Sequence, residues 1–235
     1  MATYVQTNVG LYWGGYSLAS SFNAIALNLG NSPQDDTVYG DTTVSSAAGL
    51  STVQLEAEGF WQSATDSVLQ SSLGSDDTVL SVTPVDQSAG SPSLFSKVTT
   101  STYNPISTGT VGSMLGFSLS AEGRGEKSVS GEILAIPATY TSSSETATNA
   151  SIGAVSATQS VYSALHVTAA SGTLDVIVES APSNWSSEST RITHTRFTAV
   201  GAEMLSTAGA ITDAYWRVKW TLSGSFDFIV SLGII

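Results

Sequence analysis

The stretch Asp213-Ala-Tyr-Trp-Arg-Val-Lys-Trp-Thr-Leu-Ser-Gly-Ser-Phe-Asp-Phe-Ile-Val-Ser-Leu-Gly-Ile-Ile235 decides the fold class. Trp216, Val218, Trp220 and Leu222 alternate with Tyr215, Arg217, Lys219 and Thr221. A period of two places the first set on one face of a strand. Ser223-Gly224-Ser225 reads as a short turn, and Phe226, Phe228, Val230 and Leu232 restart the alternation. The stretch therefore predicts a β-hairpin with one aromatic face. An isolated hairpin is not stable in water, so this face packs on another sheet or another subunit.

The same pattern recurs upstream. Residues 1–17 read as an extended entry bearing Tyr4, Tyr12, Trp13 and Tyr16. Strands are predicted over Leu18–Leu29, Ser51–Gly59, Val79–Val85, Leu94–Thr100, Met114–Ala121 and Val129–Ile136. In Ser51–Gly59, Val53, Leu55 and Ala57 face inward, and Gln54, Glu56 and Glu58 face outward. Glu122–Lys127 reads as the charged tip of a hairpin joining the last two strands. Between Phe60 and Leu73 the period changes. Trp61, Ala64, Val68 and Leu69 fall on one helical face, with a capping box at Ser63–Asp66 and Gly74 just past the end. Asn31–Gly49 is a polar connection longer than the ~12–15 residues usual for structureless loops, which marks it as functional or disordered.

Residues 1–137 thus form a β-sandwich or barrel domain with one short helix. Residues 138–151 are a Ser/Thr-rich linker. Residues 152–235 form a smaller all-β domain, with strands over Ser160–Thr168, Thr173–Glu179 and Arg191–Val200 before the closing hairpin. The expected fold class is all-β.

Composition narrows the function. Charged residues make up 11% of the 235, against roughly 25% in ordinary soluble domains. The surface is therefore rich in Ser, Thr, Asn and Gln, which suits repeated protein–protein contact. The net charge is −12, the wrong sign for a protein that neutralises phosphates. Residues 1–137 hold twelve acids against three bases, a net of −9. There is no Cys, hence no disulfide framework. Residues 1–8 lack the features of a signal peptide, and no apolar run approaches the ~20 residues of a membrane span.

No residue pattern announces an enzyme. His166 and His194 lack ligand spacing and sit in strand segments, as structural histidines do. Nucleophile-elbow, phosphate-loop and dinucleotide fingerprints are absent. Asp35-Asp36, Asp76-Asp77 and Glu56/Glu58 could supply paired carboxylates or hold a cation, but they read as a solvated acidic face. Asn149-Ala-Ser and Asn184-Trp-Ser match glycosylation acceptors by chance. Trp13, Trp61, Trp185, Trp216 and Trp220 either pack the core or form a sugar-binding platform. No cofactor or metal is expected.

The order of features resembles the major tail (tail tube) proteins of long-tailed, non-contractile bacteriophages. The residues carrying the likeness are Thr37-Val-Tyr-Gly-Asp41, Gly49-Leu50, the strand ending Glu58-Gly-Phe-Trp61 and its helix, and Val82-Thr-Pro84. Gly123-Arg-Gly125, Ile211-Thr-Asp-Ala-Tyr-Trp-Arg-Val218, Gly224 and Phe226–Gly233 continue it. The resemblance implies a non-enzymatic virion protein, assembled in the host cytoplasm, that forms rings with itself. The rings are hexamers or pseudo-hexameric trimers, stacked into a tube that meets other tail proteins. DNA passes through without specific binding, and no membrane is involved. Asp36, Thr37, Gly40 and Asp41 in the long loop are then candidates for inter-ring contact, and Glu56 and Glu58 for the lumen. The alternative is a carbohydrate-binding β-sandwich, as in a capsid decoration or adhesion module, which needs exposed tryptophans.

Overall fold

The computed structural model describes residues 8–40, 42–47, 49–125, 127–146, 152–182, 185 and 187–235. Asp41, Asn149 and Asn184, singled out above, lie outside them. The described elements are β1 (Gly10–Trp13), β2 (Tyr16–Ser17), β3 (Phe22–Asn31), β4 (Gln34–Asp35), β5 (Ser46–Ala47), β6 (Ser51–Phe60), α1 (Ser63–Ser72) and β7 (Thr78–Thr83). They continue as β8 (Pro92–Thr108), β9 (Gly116–Gly123), β10 (Val129–Tyr140), β11 (Ser144–Glu145), β12 (Ser160–Ala181), β13 (Ser189–Thr193), β14 (Gly201–Ala208) and β15 (Tyr215–Ile234). The all-β expectation with one short helix holds among the described residues.

Contacts divide the chain into two compact units. One comprises residues 1–20, 78–96 and 129–235; the other comprises 21–77 and 97–128. Residues 1–137 thus contribute to both. Within residues 138–146, read as linker, β10 runs on to Tyr140 and β11 pairs with β15.

The first unit is built on β15, and here the opening expectation is corrected. Tyr215–Ile234 is one continuous strand, not a hairpin. Its partner β12 is equally long and runs antiparallel to it from Val161–Ile234 to Ala181–Tyr215. Gly224 lies opposite Gly172 in the middle of this ladder. Both have positive φ, +97° and +108°. A Cβ on Gly224 would stand 1.8 Å from the Ser171 carbonyl oxygen, and one on Gly172 would stand 1.8 Å from that of Ser223. The two glycines therefore permit close passage of two backbones where the sequence suggested a reversal.

On its other side β15 meets β10 through Phe226–Gly233 and β11 through Lys219–Trp220. The second side of β12 takes β14 along its first half and β13 along its second. The strand expected over Arg191–Val200 is thus confined to Ser189–Thr193, and Gly201–Ala208 forms a strand of its own. The core packs Leu165, Val176, Trp216, Phe226 and Leu232. Each β15 indole is satisfied as it is buried: Trp216 Nε1 donates to the Gly153 carbonyl at 2.9 Å and Trp220 Nε1 to that of Ser142 at 3.0 Å.

The second unit is a sheet in the order β3-β6-β9-β8. The alternation of β6 is realised in full. Val53, Leu55, Ala57 and Gly59 are buried, and the residues between them are exposed. The buried face continues into Phe117, Leu119 and Ala121 of β9. Helix α1 belongs to this face, with Leu69 fully buried. The buried stripe is Thr65, Leu69 and Ser72, whereas Trp61 and Ala64 are exposed. Hydrogen bonds make the two polar positions tolerable inside: Thr65 to Ser21 at 2.6 Å and Ser72 to Thr100 at 3.1 Å. The capping box does not form. Gln62 is the N-cap with no side-chain cap, and Asp66 instead accepts the Tyr103 hydroxyl at 2.7 Å. Nor do β9 and β10 form a hairpin: β9 pairs with β6 and β8, β10 with β8 and β15. Arg124, in the connection between them, forms ion pairs with Asp76 and Asp77.

Candidate functional site

The second unit carries the residues singled out for assembly. Glu56 and Glu58 lie side by side on the exposed face of β6. Ala26 and Ala24 are their partners on β3, Ser120 and Ser118 on β9. Glu122 is opposite Gln54 on the same face. The result is a broad polar surface of small side chains studded with carboxylates. This unit holds ten acids and three bases in its sequence.

Among the described residues β3 is hydrogen-bonded on one side only, to β6. Its sequence, Phe-Asn-Ala-Ile-Ala-Leu-Asn-Leu-Gly-Asn, holds neither proline nor charge. Proteins usually guard such an edge with lysine, proline or a covering element. A ten-residue unguarded edge is a template for another strand.

The long connection is not structureless. The β3–β6 ladder ends at Asn31–Ser51, Ser32 N donates to Leu50 O at 2.9 Å, and β4 and β5 pair through Gln34–Ala47 and Asp35–Ser46. The connection is an arm carrying its own two-stranded hairpin beyond the end of the β3–β6 ladder. Gly49 allows the join, since a Cβ there would meet Ser32 O at 1.8 Å. Asp36 N donates to Ser45 O at 3.2 Å. Thr37 Oγ1 accepts from Ser45 N at 3.0 Å and donates to Ser45 O at 3.2 Å. Thr37 N donates to Asp35 Oδ1 at 2.9 Å, and the Thr37 hydrogen bonds hold the Asp35 carboxyl below its ordinary range. Gly40 sits at the tip with φ +115°.

The two histidines are buried struts of the first unit. Nδ1 of His166 lies 2.7 Å from the Gly14 carbonyl, which can only accept, so Nδ1 carries the proton and Nε2 accepts from Ser81 at 2.7 Å. Burial pushes the pKa of His166 down to about 4. His194 lies between Ser163 at 3.0 Å and Glu203 at 3.0 Å. Its bond to Glu203 holds that carboxyl below the usual range. This is the order of a nucleophile, base and acid, but Ser163 has no accessible surface, so no substrate reaches it. The trio ties β12 to β14 and to the segment after β13.

Of the five tryptophans only Trp61 stands well exposed, which leaves no platform of several rings for a sugar. Trp13, Trp216 and Trp220 are buried, and the Arg217 guanidinium lies 4.7 Å from the Trp185 ring. Arg217 also bridges Glu179 at 2.8 Å and Glu145 at 3.0 Å.

No protein-family model matches this chain, and no curated protein does. Among solved structures, a chain from the virion of a native gene transfer agent particle aligns with TM-score 0.37 and 11% identity, over 45% of this chain and 82% of that one. A chain from the tail of an empty particle of the same kind aligns at 0.35 and 9%, over 45% and 79%. A chain from the anti-feeding prophage baseplate aligns at 0.34 and 12%, over 55% and 97%.

Proposed function

We propose that this chain is a structural virion protein of a bacteriophage tail, a tube subunit that polymerises into stacked rings through which DNA passes. The observation that carries the reading is the unguarded edge of β3 on a sheet whose exposed face is polar and acidic. Pairing of the open edge of β3 with a different surface of the next copy is a heterologous contact, and such contacts close into rings when the rotation permits. The ring has six members, or three if both units of each chain take tube positions. Its inner face would then be lined by Glu56 and Glu58, repeated around the circle. Carboxylates within about 8 Å of a passing duplex repel its phosphates at physiological salt. The arm bearing Asp36, Thr37 and Gly40 projects beyond the sheet, where it reaches a neighbouring ring. Assembly takes place in the host cytoplasm, and the product is part of the tail.

Electron microscopy of the purified chain tests this directly, with rings or tubes as the expected result. Proline at Ile25 and at Ala26, made separately, tests the edge. Adjacent N–H groups of a strand point to opposite sides, so one of the two variants blocks only the outer edge. That variant is expected to stay folded and remain monomeric. A wild-type chain that stays monomeric at high concentration would overturn the proposal.

A further inference from the structure

Two groups of large apolar side chains stand in water at opposite ends of the second unit's sheet. Val38, Tyr39 and Val44 occupy the end of the arm. Ile106, Val111 and Met114 flank the β8–β9 connection, and the half-exposed rings of Phe60 and Trp61 adjoin it. Trp61 N donates to Leu115 O at 2.9 Å, and Phe60 pairs with Gly116, so these residues share one end of the sheet. The arm leaves from the other end, where Asn31 pairs with Ser51. The ten residues of β6 separate the two groups by about 30 Å at the usual strand rise.

We propose that the arm tip of one copy docks on the Phe60–Trp61–Ile106–Val111–Met114 patch of the next, head to tail. Three features select a second copy as the occupant. A two-stranded hairpin wetted on both faces is not stable alone, so the β4–β5 arm needs cover. The patch has no charge anywhere in Ile106–Leu115, and it takes up Val38, Tyr39 and Val44 without stranding an ion. Donor and acceptor lie at opposite ends of one sheet, so each docked copy presents a fresh acceptor and growth continues. The apolar side chains, rather than Asp36 or Thr37, carry the contact; those two hold the arm in shape. The proposal extends the ring reading by naming what stacks one ring on another.

Tyr39→Asp and Met114→Asp, each in the full chain, test it. Both residues are exposed, so the folded subunit is retained, as circular dichroism checks. Each variant alone is expected to form single rings, with at least about a tenfold loss of sedimenting polymer, because docking would bury an unpaired carboxylate. Mixed together, the Met114→Asp arm finds the intact patch of Tyr39→Asp, and growth stops at two-ring stacks. Normal tubes from either variant, or no association in the mixture, overturn the proposal. If the wild type made no rings at all, the ring reading would fall. A one-to-one complex in the mixture would then still establish the arm contact. Capture of a different protein or a glycan by the patch, with stacking unaffected, also counts against it.

Discussion

Gly224→Ala forces a methyl group into a ladder that has no room for it. The added carbon would start 1.8 Å from the Ser171 oxygen and 2.8 Å from the Ser171 carbonyl carbon, well inside van der Waals contact. Neither atom is the movable end of a side chain; relief requires β12 and β15 to part. A non-glycine residue held at φ +97° costs of order 1–3 kcal/mol, and overpacking typically adds another ~1–3. A loss of about 2–6 kcal/mol follows, which for a chain of this size lowers the melting temperature by roughly 5–20 °C. Gly172→Ala is expected to cost a similar amount, because its Cβ meets Ser223 O at 1.8 Å. The two effects are not additive, since strands parted by the first methyl accommodate much of the second. Urea denaturation of the two single variants and the double variant gives all three values. If Gly224 were instead the turn of a hairpin, Gly172→Ala would be nearly silent. A Gly172→Ala variant within about 0.5 kcal/mol of the parent, the range of ordinary surface changes, would refute the continuous β15.

Two further outcomes are open to measurement. His166 is neutral in the folded chain, with its pKa lowered by burial from 6.5 to about 4. The unfolded chain takes up a proton as pH falls below 6.5 and the folded chain does not. Stability from this group is therefore complete above pH 6.5, declines between 6.5 and 4 by up to about 3 kcal/mol, and is flat below that. His166→Gln should flatten the urea midpoint across that interval, and equal slopes for variant and parent would rule the assignment out. If the proposed tube forms, Glu56→Lys with Glu58→Lys, on the exposed face of β6, should leave assembly intact and slow DNA ejection from virions; wild-type ejection with intact tails would place these acids outside the channel.

The alternation in Ser51–Gly59 was legible because one face is dry and the other wet, and Glu56 and Glu58 lie where it put them. The long strands were not legible. Ser171-Gly172-Thr173 and Ser223-Gly224-Ser225 each carry the local chemistry of a break. Only their alignment across the ladder turns two apparent turns into one close approach, and alignment is not a local property. The helix stripe was misjudged for a related reason. Thr65 and Ser72 are polar by composition, yet they are buried because Ser21 and Thr100, far away in sequence, supply their hydrogen bonds. The hairpin within Asn31–Gly49 was not foreseen, because its pairing residues lie on the two sides of an irregular tip. Alternation reports faces; it does not report edges, and the open side of β3 became visible only when β6 was known to be its single partner among the described residues.

The placement of β15 between β12 and β10 bears on the timing of biosynthesis. Both neighbours precede it in the chain, β12 ending at Ala181 and β15 beginning at Tyr215. At about 5–20 residues per second, a ribosome leaves β12 without this partner for several seconds. The pairing of Val161 with Ile234 spans more chain than most hairpins close, which slows folding further. Every strand of the second unit, by contrast, is translated before residue 129. The β3 edge and the arm, proposed above to join one copy to another, are therefore made before the first unit can complete its core. On the proposed assembly, nascent chains on one messenger would present these surfaces to each other while half-built, and the relative rates of β15 capture and edge pairing would decide between ordered polymer and aggregate.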